Sequence, residues 1–256
     1  MGRKIIGNLK FQKADPEGFN ANEFAEKLEK AYEEDGNQSG YKKKNTFSPS
    51  TIGYGHGNCG RYWFIAFNGA EFEEKFDAKA RANMENGKMA HDRIQDKMKK
   101  TGLVAHLEKE ILSQDPPIRG FADIILKDGT VGEIKTAKEE IYLHKQSNMK
   151  PSPNHLLQIL TYMKIEGSKY GFMFYENKND QDFLIIPVKM NESNENLINN
   201  TFDWMRKVHA NWQEQSLPIR PFKKTGSPCS YCPVKTTCWK ELGEGVVEIE
   251  VLAVPK

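Results

Sequence analysis

The stretch FADIILKDGTVGEIKTAK, Phe121 to Lys138, holds two apolar runs around a Lys127-Asp128-Gly129 turn signal, with Asp123 in the first and Glu133 and Lys135 in the second. Runs of this kind about an Asp-Gly turn read as a β-hairpin. Side chains alternate along a strand, so Glu133 and Lys135 project from one face. Whether Asp123 shares that face depends on register. A two-residue Asp128-Gly129 turn sets Asp123 opposite Ile134 and the carboxylates diverge, whereas a three-residue loop with Gly129 left-handed sets Asp123 opposite Glu133. The odd-length loop is the expectation. Two carboxylates side by side in partly apolar strands repel each other unless a cation lies between them. A hard divalent ion, magnesium or manganese, suits such a site. It activates water and neutralises charge on a phosphate, while Lys135 is placed to position a nucleophile or stabilise developing charge. Taken alone, Glu-x-Lys reads first as a solvated surface pair, and it is the surrounding motifs that decide against this.

Upstream, LVAHLEKEIL (Leu103 to Leu112) reads as a further strand, completing an antiparallel meander with IRGFADIIL and VGEIKTA. Glu110 on that strand is a further candidate for an acidic wall, and Glu108 has the same facing. Before it, Ala80, Met84, Gly87, His91, Ile94 and Met98 recur at three- and four-residue steps, the pattern of a helix with this stripe buried. His91 alone reads as a core histidine; Gly87, one turn earlier, leaves room on its face for close packing or a metal. Downstream, a helix over about residues 154–165 carries Leu156, Ile159, Leu160 and Met163 for the core, with His155, Gln158 and Tyr162 on another face. Strands KYGFMFYE and DFLIIPVK and a helix over about 193–214 follow. The expected class is mixed α/β, a central mixed sheet flanked by helices.

Cys229-x-x-Cys232 followed by Cys238, with Cys59 far upstream in GNCGRYW, is a specific pattern. Four thiolates hold structural zinc or an iron-sulfur cluster, and paired disulfides are the weakest alternative. Arg61, Arg220, Lys223, Lys224, Lys235 and Lys240 form a local basic excess around these cysteines, where phosphates could bind. Tyr54, Tyr62, Trp63, Tyr231 and Trp239 interleave with it and either stack on bases or pack around the centre.

The order Gly87-x-x-x-His91, Asp123, Glu133-x-Lys135, Gln158-x-x-x-Tyr162 resembles the PD-(D/E)XK nuclease superfamily in its RecB-like branch. The resemblance implies that His91, Asp123, Glu133 and the Ile134 backbone carbonyl bind the divalent metal, and that Lys135, Gln158 and Tyr162 belong with Asp123 and Glu133 to the catalytic set. One early and three late cysteines are similar to the iron-sulfur nucleases of the AddB type and the RecB-like nuclease of CRISPR adaptation. In those a 4Fe-4S cluster staples the two ends of the chain around the catalytic domain. That likeness implies the same cluster on Cys59, Cys229, Cys232 and Cys238, tying a helical cap, with zinc as the alternative.

The formal charge of +2, from 37 basic and 35 acidic residues in a chain of 256, does not by itself announce a nucleic-acid binder. No apolar run has the length of a membrane span or signal peptide, and the cysteine pattern suits a reducing compartment, so a soluble cytoplasmic protein is expected. The organisation expected is an N-terminal arm (1–49, with one helix near Ala21 to Glu34), a helical cap segment (50–101), the nuclease core (102–216), the cysteine segment (217–242) and a tail (243–256). The function implied is a metal-dependent DNA exonuclease or end-trimming enzyme that hydrolyses phosphodiesters with a metal-activated water. The competing reading is a non-catalytic DNA-binding or assembly module of a recombination or CRISPR-adaptation complex. A site-specific restriction endonuclease is less favoured, having no evident need for the cysteines.

Overall fold

The computed structural model describes residues 20–34, 43–73 and 76–254. Most of the expected N-terminal arm, residues 1–19 and 35–42 with Lys42 of its triple lysine, lies outside them. Two compact units are present, one of residues 1–42 and 74–92, the other of 43–73 and 93–256. In the first, helix α1 spans Ala21–Glu34, the expected position.

The second unit begins with α2 (Gly60–Phe67), whose eight residues are all buried. α3 (Ala78–Lys99) begins in the first unit and ends in the second. The sheet then forms from β1 (Val104–Gln114), β2 (Pro117–Leu126) and β3 (Val131–Ala137), the expected antiparallel meander. α4 (Glu139–Asn148) and α5 (Pro153–Glu166) lead to β4 (Tyr170–Asn177), which runs parallel to β3. β5 (Phe183–Lys189) returns antiparallel and α6 (Glu192–Gln213) follows, opened by Asn191, whose side chain accepts from the Asn194 N–H. The order β1-β2-β3-β4-β5 makes a five-stranded mixed sheet flanked by helices, as the class expectation held. β3 is its middle strand. It is buried on both faces through Val131 and Ile134, and α5 lies against β1, β3 and β4.

Phe47, Ile52, Trp63 and Phe67 form an aromatic-rich centre to the core, and Phe47 bridges backbone-to-backbone onto Ile118 of β2. Among the described residues no helix is long and apolar enough to cross a membrane.

Two expectations need correction. Met84 of the α3 stripe is 56% exposed, and a Cβ at Gly87 would meet open space, so of the six stripe residues only Ile94 is fully buried. α4 had no counterpart in the sequence pattern. In it Tyr142 and Lys145 are buried while Ile141 and Leu143 are about half exposed, so apolar character and burial do not coincide.

Candidate active site

The hairpin has the odd-length loop. Ile125 pairs with Val131 and Ile124 with Gly132, the Gly129 N–H donates to the Leu126 carbonyl, and Gly129 takes φ +84°. Continued one step, this register sets Asp123 opposite Glu133. The ladder itself stops there: instead of a backbone carbonyl, Asp123 Oδ2 accepts the Ile134 N–H at 2.6 Å. The strands thus part where the carboxylates begin, leaving both acids buried, Asp123 at 7% and Glu133 at 1% exposure.

Lys135 Nζ and Gln158 Nε2 both donate to Glu133 Oε1, at 2.5 and 2.6 Å. Glu133 Oε2 has no partner among the described residues. Burial, and then the neighbouring Asp123 charge, push the Glu133 carboxyl up to about 8, against the opposing pull of Lys135. Oε2 is therefore a buried acceptor, in a place where an anion is unfavourable unless a cation arrives.

The acidic wall is completed by Glu108, a carboxylate oxygen of which lies within 4.8 Å of one of Asp123. Glu108 sits at φ +47°, out of the extended strand conformation. Gln95 of α3 fixes it, donating to Glu108 Oε1 at 2.6 Å and to the Asp123 carbonyl at 3.2 Å. Glu110 is not part of this wall: in the regular strand two residues on, it pairs with Arg119 at 2.7 Å on the exposed side. His91 lies four residues before Gln95 on α3, hence on the same helix face.

α5 supplies the opposite wall. Tyr162, 2% exposed, has its Oη 3.5 Å from Gln158 Nε2, and it lies so close to Gly120 that a Cβ there would come within 2.8 Å of that oxygen. Burial, with the Glu133 charge, keeps the phenol protonated well above its usual range. Two turns before Tyr162, His155 Nδ1 is 2.9 Å from Tyr175 Oη, which also accepts the Ser152 N–H. Burial and the charges of Lys135 and Lys145 push His155 down to about 3. Near the C-terminal end of β4, Arg93 holds the buried Glu176 through both carboxylate oxygens, at 2.7 and 2.8 Å. Gln95, Tyr175 and Arg93 were not legible beforehand, since their partners lie on other elements of the chain. The one available signal was helical spacing, Gln95 from His91.

Residues 63–239 match the family model of the PD-(D/E)XK nuclease superfamily. The chain belongs to that superfamily. No curated protein matches it. Among solved structures, it is similar to the alkaline exonuclease LHK-Exo of Laribacter hongkongensis at 12% identity and TM-score 0.53, over 74% of this chain and 95% of the other. LHK-Exo in complex with dAMP is similar at 13% identity and TM-score 0.52, over 74% and 93%. At such identities the likeness is one of fold.

This PD-(D/E)XK chain has a second candidate centre. Cys59, Cys229, Cys232 and Cys238, all free thiols, line one pocket with His56, Tyr62, Phe222 and Trp239. No three of their sulfurs, all among the described residues, approach within 4.8 Å of one another. Burial pushes the Cys59 thiol up to about 11 and that of Cys232 up to about 12.

The basic groups here do not face solvent as expected. Arg61 is 1% exposed, and its donors go to the Cys238 sulfur and to the carbonyls of Pro218, Cys238 and Gly243. Arg220 caps the carbonyls of Cys238, Leu242 and Gly243, stacks over Trp239 and pairs with Glu244. Neither guanidinium is free for phosphate. Trp63 and Tyr62 are core residues at 0% and 3% exposure, whereas Tyr54 and Tyr231 stay exposed. Lys223, Lys224 and Lys240 keep the exposure that phosphate contact needs.

Proposed function

We propose that this superfamily member is a divalent-metal-dependent deoxyribonuclease of the exonuclease or end-trimming kind, hydrolysing phosphodiesters in DNA. The observation that carries the reading is Glu133: one carboxylate oxygen is held by Lys135 and Gln158, while the other is buried without a partner beside the Asp123 and Glu108 carboxylates. That donor set fits a hard cation, magnesium or manganese. Asp123 and Glu133 would hold it, with the Ile134 carbonyl and with His91, the ligands that the resemblance implies; the Ile134 N–H, donating to Asp123 Oδ2, fixes the Glu133–Ile134 peptide beside the first of these carboxylates. When bound, such an ion supplies Lewis acidity, lowering the pKa of water and neutralising phosphate charge. Lys135 stands against the same carboxylate and is placed to orient the nucleophile or stabilise charge developing on the phosphate. Gln158 fixes the Glu133–Lys135 pair, and Tyr162, kept neutral, positions Gln158. The likeness to an alkaline exonuclease supports action at DNA ends.

For the cysteine pocket we propose a 4Fe-4S cluster, as in the RecB-like branch. That all four cysteines line one pocket supports a shared metal centre. A buried guanidinium donating to one of the sulfurs supports an anionic, metal-bound thiolate set.

End-labelled single- and double-stranded DNA is incubated with the full chain and magnesium or manganese, beside Lys135→Ala. Metal-dependent shortening from the ends is expected, with the variant slower by roughly a hundredfold or more, the scale of losing a charge stabiliser at a reacting centre. Cleavage that survives EDTA, or equal rates for the variant, refutes the catalytic reading and leaves the DNA-binding module.

A further inference from the structure

Arg61 stands on α2 two residues after Cys59 and is wholly buried. Its Nη1 donates to the Pro218 carbonyl at 2.5 Å, its Nη2 to the Gly243 carbonyl at 2.7 Å and to the Cys238 carbonyl at 3.4 Å, and its Nε to Cys238 Sγ at 3.2 Å. No carboxylate pairs with it among the described residues. A guanidinium keeps its proton in any protein environment, and a buried charge without an opposite charge is strongly unfavourable.

Neighbouring Arg220 makes the contrast. It binds some of the same carbonyls but has Glu244 as its anion. The partner of Arg61 able to carry a negative charge is the Cys238 sulfur. A protonated thiol does not balance a cation, whereas four thiolates around an iron-sulfur core form a net anionic unit. A hydrogen bond to a ligand sulfur also disperses the charge of an added electron, one of the means by which a protein sets a cluster's potential.

We propose that Arg61 is the charge partner of the metal–thiolate centre, and that its Nε–H bond to Cys238 Sγ raises the centre's reduction potential and slows its loss. This rests on the reading of the cysteine pocket as an iron-sulfur site. Arg61 is a positioning residue, since it touches a ligand and not the metal. It also holds the carbonyls of Pro218 and Gly243, which bracket the cysteine segment. Departure of the centre therefore leaves a buried cation unbalanced at the point where that segment is fastened to α2.

The test uses the full chain purified without oxygen, as wild type, Arg61→Lys and Arg220→Lys. Iron content, absorbance near 400 nm and a potentiometric titration are read for each. Arg61→Lys is expected to shift the midpoint to a more negative potential and to lose iron to a chelator roughly tenfold faster or more, the usual scale for partners behind a metal ligand. Arg220→Lys, which touches backbone carbonyls but no sulfur, is expected to keep the wild-type midpoint. An unchanged midpoint in Arg61→Lys, or equal shifts in both variants, overturns the role of Arg61 while the iron reading stands. An iron-free, colourless wild type overturns the iron reading itself. If Arg61→Lys does not fold, wild type labelled with 15N-arginine decides: the Arg61 Nε resonance should move between oxidised and reduced protein, and an unmoved resonance overturns the proposal.

Discussion

Without metal, Glu133 should make the protein less stable as pH rises from 6.5 to 8, and Glu133→Gln should remove that loss. The unfolded carboxyl titrates near 4.5, and burial and Asp123 push the folded one up to about 8. Between these values the folded state holds a proton that the unfolded state has released, so this contribution is fully present below 4.5 and is lost as pH rises through 8. His155 and His56 act with the opposite sign: their folded values, about 3 and about 4, lie below the ordinary 6.5, so their contribution grows as pH rises through 6.5 and is complete about a unit above it. The histidines still gain roughly 0.4 kcal/mol each above pH 6.5 and are common to wild type and Glu133→Gln, so the difference between the two profiles over the window from 6.5 to 8 isolates the carboxyl. Over it the loss is on the order of 1.5 kcal/mol, at about 1.4 kcal/mol per pH unit, flattening near the folded value. For a chain of this length that corresponds to about 3–6 °C in melting midpoint. Thermal melts in EDTA at several pH values, for wild type and Glu133→Gln, measure it. Saturating magnesium or manganese should also abolish the decline, because the ionised carboxylate then has its cation. Profiles of equal slope for wild type and Glu133→Gln in EDTA refute the placement of an uncompensated buried carboxyl.

The two acids of β1 should behave differently. Glu110→Ala breaks an exposed pair with Arg119 and should change stability by less than about 1 kcal/mol and leave cleavage unaltered; Glu108→Ala should depress cleavage and raise the magnesium concentration needed for half-maximal rate. Equal kinetics of the two variants would mean that the wall has been assigned to the wrong residue. Gly120→Ala drives a Cβ to 2.8 Å from Tyr162 Oη and 3.0 Å from Pro49 Cδ, so a loss on the order of 1–3 kcal/mol in urea unfolding and a slower cleavage rate are expected. An unchanged urea midpoint contradicts the tight packing of Tyr162 on β2.

The meander, its odd loop and the two strands beyond it were legible because each rests on a local rule: alternation, turn chemistry and length. Gly129 is the clearest case, since a left-handed residue closing a three-residue loop decides which carboxylates meet. The residues that carry long-range pairings were not legible. Arg61 and Arg220 look in sequence like any basic groups beside a cysteine motif, and only tertiary structure reveals that backbone carbonyls far along the chain take their donors. Likewise nothing in LEKEIL says that Glu108 leaves the extended conformation while Glu110 does not. α4 was missed because a buried lysine and exposed leucine and isoleucine erase the amphipathic signal on which periodicity depends.

The partners of Arg61 lie 157 to 182 residues further along the chain. During synthesis at about 5–20 residues per second, α2 emerges on the order of ten to thirty seconds before the carbonyls and sulfur that fasten it exist. Throughout that interval a wholly apolar-faced octapeptide carrying one cation has to wait, covered by whatever else is nearby. The closure around Arg61 is therefore timed by the synthesis of residues 218–243, and a nascent chain stalled short of them should be the form that aggregates or is taken up by a chaperone.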